Sequence, residues 1–148
     1  MPNAPTYFPN CFVCGSENPS GLHIPFSRLP DGRSRAEYVA RPDHVGWPEI
    51  IHGGLLFTLM DEAVAWAVMY AGLHGVTGKA EARFRAPAKV GMQLVVTGAI
   101  KESSRRAFRT HAEIREGSET GPVIAEMDAL MAVADIGQLA AEPAKSLA

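Results

Sequence analysis

The chain has 148 residues, 47% hydrophobic, 20% charged and 7% aromatic, with 14 Gly and 11 Pro. A folded chain of this length buries roughly 70% of the surface it exposes when unfolded, so it can build a core without disulfide staples; the composition excludes a disulfide scaffold and a disordered chain. Fourteen Lys and Arg against sixteen Asp and Glu leave a net charge of −2 with no basic cluster, which argues against nucleic acid as a partner, because that binding rests on phosphate neutralisation. The longest apolar stretch, 55–70, is interrupted by Asp61 and Glu62 and falls short of the roughly 20 residues that span a bilayer, so no membrane partner is expected. Residues 1–10 carry neither Lys nor Arg and no apolar run, so no export signal is expected. A cytoplasmic location follows, with Cys11 and Cys14 as reduced thiols.

One domain over 1–148 is expected. Pro2, Pro5 and Pro9 make residues 1–10 an irregular lead-in, and Asn18-Pro19-Ser20-Gly21 reads as a turn. Residues 22–26 read as a short strand, 29–32 as a loop and 33–40 as the returning strand of a hairpin; 42–48 is a loop. From Gly53 to Ala71 there is no Pro and, beyond the opening Gly53-Gly54, no Gly, and Leu55, Leu59, Ala63, Trp66 and Tyr70 recur at three-to-four-residue spacing, which predicts a helix with Gly72 as its C-terminal cap. Leu56, Phe57, Met60, Val64, Val68 and Met69 fill the other faces, so this helix is apolar nearly all round and must be enclosed. Four strands follow, at 76–86, 93–102, 105–116 and 122–134; short separators make neighbours antiparallel. The last of them also reads as a helix, because Ala, Glu and Met favour one. Residues 138–148 form a loose tail. The class is α+β, a curved antiparallel sheet around one long central helix. A sheet edge and one helix flank stay uncovered in such a chain, so at least two copies are expected to associate.

Asp61, with Glu62 beside it, is the anomaly of the apolar helix. Burying an unpaired carboxylate costs several kcal/mol, so such a group is paired with a cation, exposed to a cleft or partner, or functional. Adjacent helical residues point about 100° apart, so the two acids do not serve one site, and Asp61 is the candidate. His52-Gly53-Gly54 opens the same helix. Free N–H groups there favour an anion or a developing oxyanion, and glycine lets a carbonyl approach the main chain. His52 is a general base, a neighbour of the helix cap or a structural hydrogen bonder. Cys11-Phe12-Val13-Cys14 has the spacing of half a zinc site, which His23, His44, His52, His74 or His111 could complete; a redox pair and simple turn packing are the other readings. No Gly-x-Ser-x-Gly elbow is present in the sequence, which argues against a serine hydrolase.

The run from His52 to Ala63 resembles the His-Gly-Gly and acidic central-helix motif of hotdog-fold acyl-CoA thioesterases, in the PaaI-like (4-hydroxybenzoyl-CoA thioesterase-type) branch. Residues 80–91 are similar to the strand of that family that ends in an Arg-x-Pro-x-x-x-Gly turn, and Cys11-x-x-Cys14-Gly15 with Asn18-Pro19 and Gly21-Leu22 is similar to the amino-terminal signature of one subgroup. The likeness covers about residues 11–134. It implies a hydrolase acting on an acyl-CoA substrate with water, without metal or other cofactor. Asp61 would be the nucleophile or general base, the Gly53 amide the oxyanion donor, His52 the residue shaping the turn, and Thr77 a hydroxyl that helps to hold the attacking water. Gly54, Phe57, Met60 and Trp66 would line the acyl site, and Arg83, Arg85, Lys89, Arg105 and Arg106 could meet the phosphates of the carrier. The resemblance implies a homodimer or a dimer-of-dimers tetramer, with acid and oxyanion donor from different subunits. Gly46 departs from the pattern, since many relatives carry Asn or Gln there; His44 is the nearby polar candidate. A non-catalytic acyl-CoA sensor of the same fold is the alternative function. A hydratase would pair the Asp with a His on the helix, and none follows Asp61 before His74.

Overall fold

A computed structural model describes residues 8–141. Eight strands and two helices follow in chain order: β1 (Ser27–Arg28), β2 (Ser34–Val39), β3 (Val45–Trp47), β4 (Ile50–Ile51), α1 (Gly53–Tyr70), β5 (Gly75–Phe84), β6 (Gln93–Ser103), β7 (Ala107–Glu116), β8 (Val123–Val133) and α2 (Ile136–Ala141). Six strands form one antiparallel sheet in the order β1-β2-β6-β7-β8-β5, and β3 pairs with β4 as a separate ribbon. The α+β class is the expected one. The last long segment is a strand, because β7 and β5 satisfy its backbone on both sides.

The helix lies against the sheet, and eight of its residues, Leu59, Met60 and Val64 among them, are buried. Contact is close at Gly98 of β6, where a Cβ would meet the Ala63 carbonyl carbon at 2.5 Å and Ser34 Oγ at 2.8 Å. Ser34, fully buried on β2, donates its hydroxyl to the Ala63 carbonyl at 2.6 Å. A missing side chain on one strand and a small hydroxyl on its neighbour therefore set the depth at which the helix sits.

Strand β5 carries a bulge. Thr77 stands opposite Met131 and Lys79 opposite Leu130, so Gly78 is an extra residue. After the bulge the half-buried positions are Ala80 and Ala82, while Lys79, Glu81 and Arg83 are exposed. β5 also ends the sheet, so one side of a ten-residue strand has no partner among the described residues.

Three expectations are corrected. Residues 42–48, expected as a loop, hold a 3-10 turn at Pro42–His44 followed by β3, because the chain there pairs with β4. Residues 22–26 are not a strand of the hairpin: His23 takes a left-handed backbone conformation, with φ 55°, the Leu22 and Ile24 amides donate to the Phe12 and Val13 carbonyls of the Cys-x-x-Cys segment, and the hairpin forms from β1 and β2 instead. Residues 138–141, taken as the start of a loose tail, belong to α2, where the Gln138 amide is capped by the Asp135 carboxylate at 3.0 Å. Residues 1–7 of the lead-in and 142–148 of the tail lie outside the described residues.

Candidate active site

Asp61 is half-buried at the middle of α1, and its Oδ1 accepts a hydrogen bond from Thr77 Oγ1 at 2.5 Å. The bulge at Gly78 lets Thr77 face the helix from the start of β5. No Lys, Arg or His among the described residues forms an ion pair with Asp61. The carboxylate therefore retains acceptor capacity beyond its one hydroxyl donor.

His52 is the N-cap of α1: its Nδ1 accepts from the Gly54 amide at 2.8 Å. Gly53 is exposed and its amide has no acceptor among the described residues, as expected of the first helical turn. A Cβ at Gly53 would meet only the Phe84 ring, at an ordinary 3.7 Å, so packing within the chain does not demand glycine there. At Gly54 a Cβ would come within 3.0 Å of the His52 ring and push it from its cap.

The loop before the helix is fixed by His44. Its carbonyl accepts the His52 amide at 2.9 Å, and its ring stacks on Tyr38 and shares a 2.7 Å hydrogen bond with the phenol. His44 is thus turned towards Tyr38, and no bond from its ring to the His52–Asp61 region is formed. Gly46 packs against His52, where a Cβ would approach the ring and Cα at 3.1 and 3.2 Å, so a side chain at 46 would require His52 to give by a few tenths of an ångström.

Burial holds the His44 ring below its ordinary value, with Arg41 adding to this and Asp43 opposing it. Above about pH 6.5 the ring is neutral in the folded and unfolded chains. Below it the unfolded chain takes up the proton first, so stability falls on acidification. The Tm of the wild type is expected to drop between about pH 7.5 and about pH 5.5 by more than that of His44→Gln, whose side chain does not titrate. Parallel Tm curves for the two proteins would refute this.

The remaining candidates separate. Phe57 is half-buried, whereas Met60 is fully enclosed in the core and can only back a pocket from behind. Trp66 lies on another flank of the helix, donating its indole N–H to Glu62 Oε1 at 3.2 Å. Arg83 and Arg85 are exposed and pair with Glu81 and Glu126 at 3.3 and 3.1 Å. Lys89, Arg105 and Arg106 are exposed. The sequence did not reveal the Tyr38–His44 pair or the company of Glu62, which Cys11 meets at 3.4 Å.

The description of the thioesterase superfamily matches residues 49–123, half of the chain. Among solved structures, the chain is similar to a thioesterase superfamily protein with 26% identity and a TM-score of 0.75, covering 84% of this chain and 62% of that one. It therefore spans less than two thirds of that relative. The PaaI protein of the E. coli phenylacetic acid degradation operon is 22% identical, with a TM-score of 0.69 over 75% of this chain and 83% of its own. A hypothetical thioesterase of Streptococcus pneumoniae TIGR4, solved with coenzyme A, has the same identity and TM-score, covering 75% and 85%. That pneumococcal protein has also been solved as two alanine variants, one of an Asp and one of a Thr sixteen positions later. No curated protein matches the chain.

Proposed function

The chain belongs to the thioesterase superfamily and has its α+β hotdog fold, and from that premise we propose that it hydrolyses the thioester of an acyl-coenzyme A. The observation that carries the reading is a carboxylate in the middle of an apolar helix that no cation among the described residues pairs with and a strand hydroxyl holds. Asp61 acts as nucleophile on the thioester carbon or as general base for water. The unused Gly53 amide, at the positive end of the helix dipole, donates to the oxyanion that forms on the carbonyl. His52 occupies the Gly54 amide and so fixes the first turn; Gly53, lacking a side chain, leaves its face open to the substrate.

Gly53 and Asp61 lie roughly 12 Å apart along one helix by the helical rise, too far to act on one carbonyl. The site is therefore completed across two copies of the chain, the amide of one facing the acid of the other. The unpaired side of β5, flanked by exposed Leu73 and Phe84, is the edge on which the second copy docks. Phe57 lines the acyl end, with Met60 packed behind it. Arg83 and Arg85, on the same edge strand and just beyond it, meet the phosphates of the carrier.

The interval of sixteen between Asp61 and Thr77 equals that between the two residues replaced in the pneumococcal variants, which supports treating the pair as a unit. Hydrogen bonds to a charged group are worth about 1.5–3 kcal/mol. Thr77→Ala is thus expected to lower kcat about ten- to hundredfold with little change in KM, and Thr77→Ser to recover most of the loss. Thiol release from short, aromatic and long acyl-CoAs measures both. Equal rates for Thr77→Ala and wild type on every substrate would remove Thr77 from the mechanism.

A further inference from the structure

The second acid of the helix, Glu62, has different surroundings. Cys11, Cys14 and Glu62 are all half-buried, and one donor atom from each lies within 4.8 Å of the other two. Cys11 Sγ is 3.4 Å from Glu62 Oε1. A tetrahedral ion with Zn–S about 2.3 Å and Zn–O about 2.1 Å places its sulfur and oxygen ligands about 3.6 Å apart, so this edge needs little adjustment. The Trp66 indole N–H, donating to the same Oε1 at 3.2 Å, orients the carboxylate from outside the trio.

Charge also points to a cation. No Lys, Arg or His among the described residues pairs with Glu62, whose partners are thiols and an indole. The Cys-x-x-Cys turn is built tightly: the Gly15 amide closes it on the Cys11 carbonyl at 3.0 Å. A Cβ at Gly15 would strike the Cys11 backbone at 2.5 Å, so the turn requires glycine. The trio borders a cavity of about 210 Å³ that Met69 and His74 also line.

We propose that Cys11, Cys14 and Glu62 bind one divalent zinc ion, fastening the Cys-x-x-Cys turn to the central helix. Two thiolates with one carboxylate favour zinc over calcium or magnesium, which require oxygen ligands. Both cysteines bind as thiolates, so binding releases two protons to solvent. The fourth position opens on the cavity, which has room for a water. The ion lies on the Glu62 flank, away from Asp61, and takes no part in thioester hydrolysis.

The full chain, purified under reductant without a metal-affinity step and desalted from excess Zn²⁺, is expected to retain about one zinc per chain by elemental analysis. Co²⁺ added to the metal-free protein is expected to give thiolate-to-cobalt charge-transfer absorption and tetrahedral d–d bands. Chelator should expose two thiols that the zinc form protects from a thiol reagent. Cys11→Ser with Cys14→Ser should abolish the cobalt spectrum, and Glu62→Gln should weaken binding by more than about tenfold. Wild-type protein that keeps no zinc and shows no cobalt charge transfer would overturn the site, even if the variants fail to fold. So would a Cys11–Cys14 disulfide in the protein as purified under reductant, or Glu62→Gln binding zinc as tightly as wild type.

Discussion

Replacing Asp61 by asparagine is expected to lower kcat for acyl-CoA hydrolysis by about 10²- to 10⁴-fold, the range associated with loss of a positioned acid–base group. An amide oxygen still accepts the Thr77 hydroxyl, and no ion pair among the described residues depends on the carboxylate, so the fold loses little. KM should change little, because in the proposed mechanism the carboxylate acts on the reacting carbon or on water and not on the carrier. The measurement is thiol release at saturating substrate, with Tm and oligomeric state recorded on the same sample. Undiminished turnover would end the assignment of Asp61. Wild-type protein that releases no thiol, yet gains several degrees in Tm on adding acyl-CoA, would instead establish a ligand sensor.

Gly98→Val is expected to destabilise the chain by about 3 kcal/mol, the upper range for overpacking a close-packed interior. For a domain of this size that lowers Tm by about 6–12 °C. The Ala63 carbonyl group and Ser34 Oγ occupy the space the new side chain needs, and neither is the tip of a flexible group. The helix must back away from β6, which also breaks the Ser34 hydrogen bond. Gly98→Ala should act in the same direction with a smaller shift. A Tm within about 1 °C of wild type would show that helix and sheet are not in such close contact. Because α1 carries Asp61, a partly folded Gly98→Val should lose activity along with stability.

Much of this architecture was legible because the local signals agree. Gly and Pro part β5 from β6 and β7 from β8, a Ser-Ser pair parts β6 from β7, and the helix has no Pro, so the boundaries of β5 to β8 fall within about two residues of those expected. The faces of the helix were harder to read. An element apolar all round has no periodicity to say which side meets the sheet, so Met60, in the core, looked equivalent to half-exposed Phe57. Residues 22–26 have a strand pattern, but their partners Phe12 and Val13 belong to the Cys-x-x-Cys segment, a choice tertiary contact makes. Asp61 stood out by its burial cost alone, whereas its link to Thr77 came only through the resemblance. Glu62 was read as the redundant acid of the pair, since nothing local reveals that a turn about fifty residues upstream closes on it.

The extra residue in β5 has a wider meaning. On either side of Gly78 the strand obeys opposite parities: Thr77 turns inward, whereas beyond it the inward positions are even-numbered and the charged ones odd. Without that half-step, the hydroxyl beside the acid and the row Lys79, Glu81 and Arg83 would compete for one face. The length of the strand at a single point, more than the identity of any neighbour, thus decides whether one ribbon can serve both the greasy interior and the watery rim.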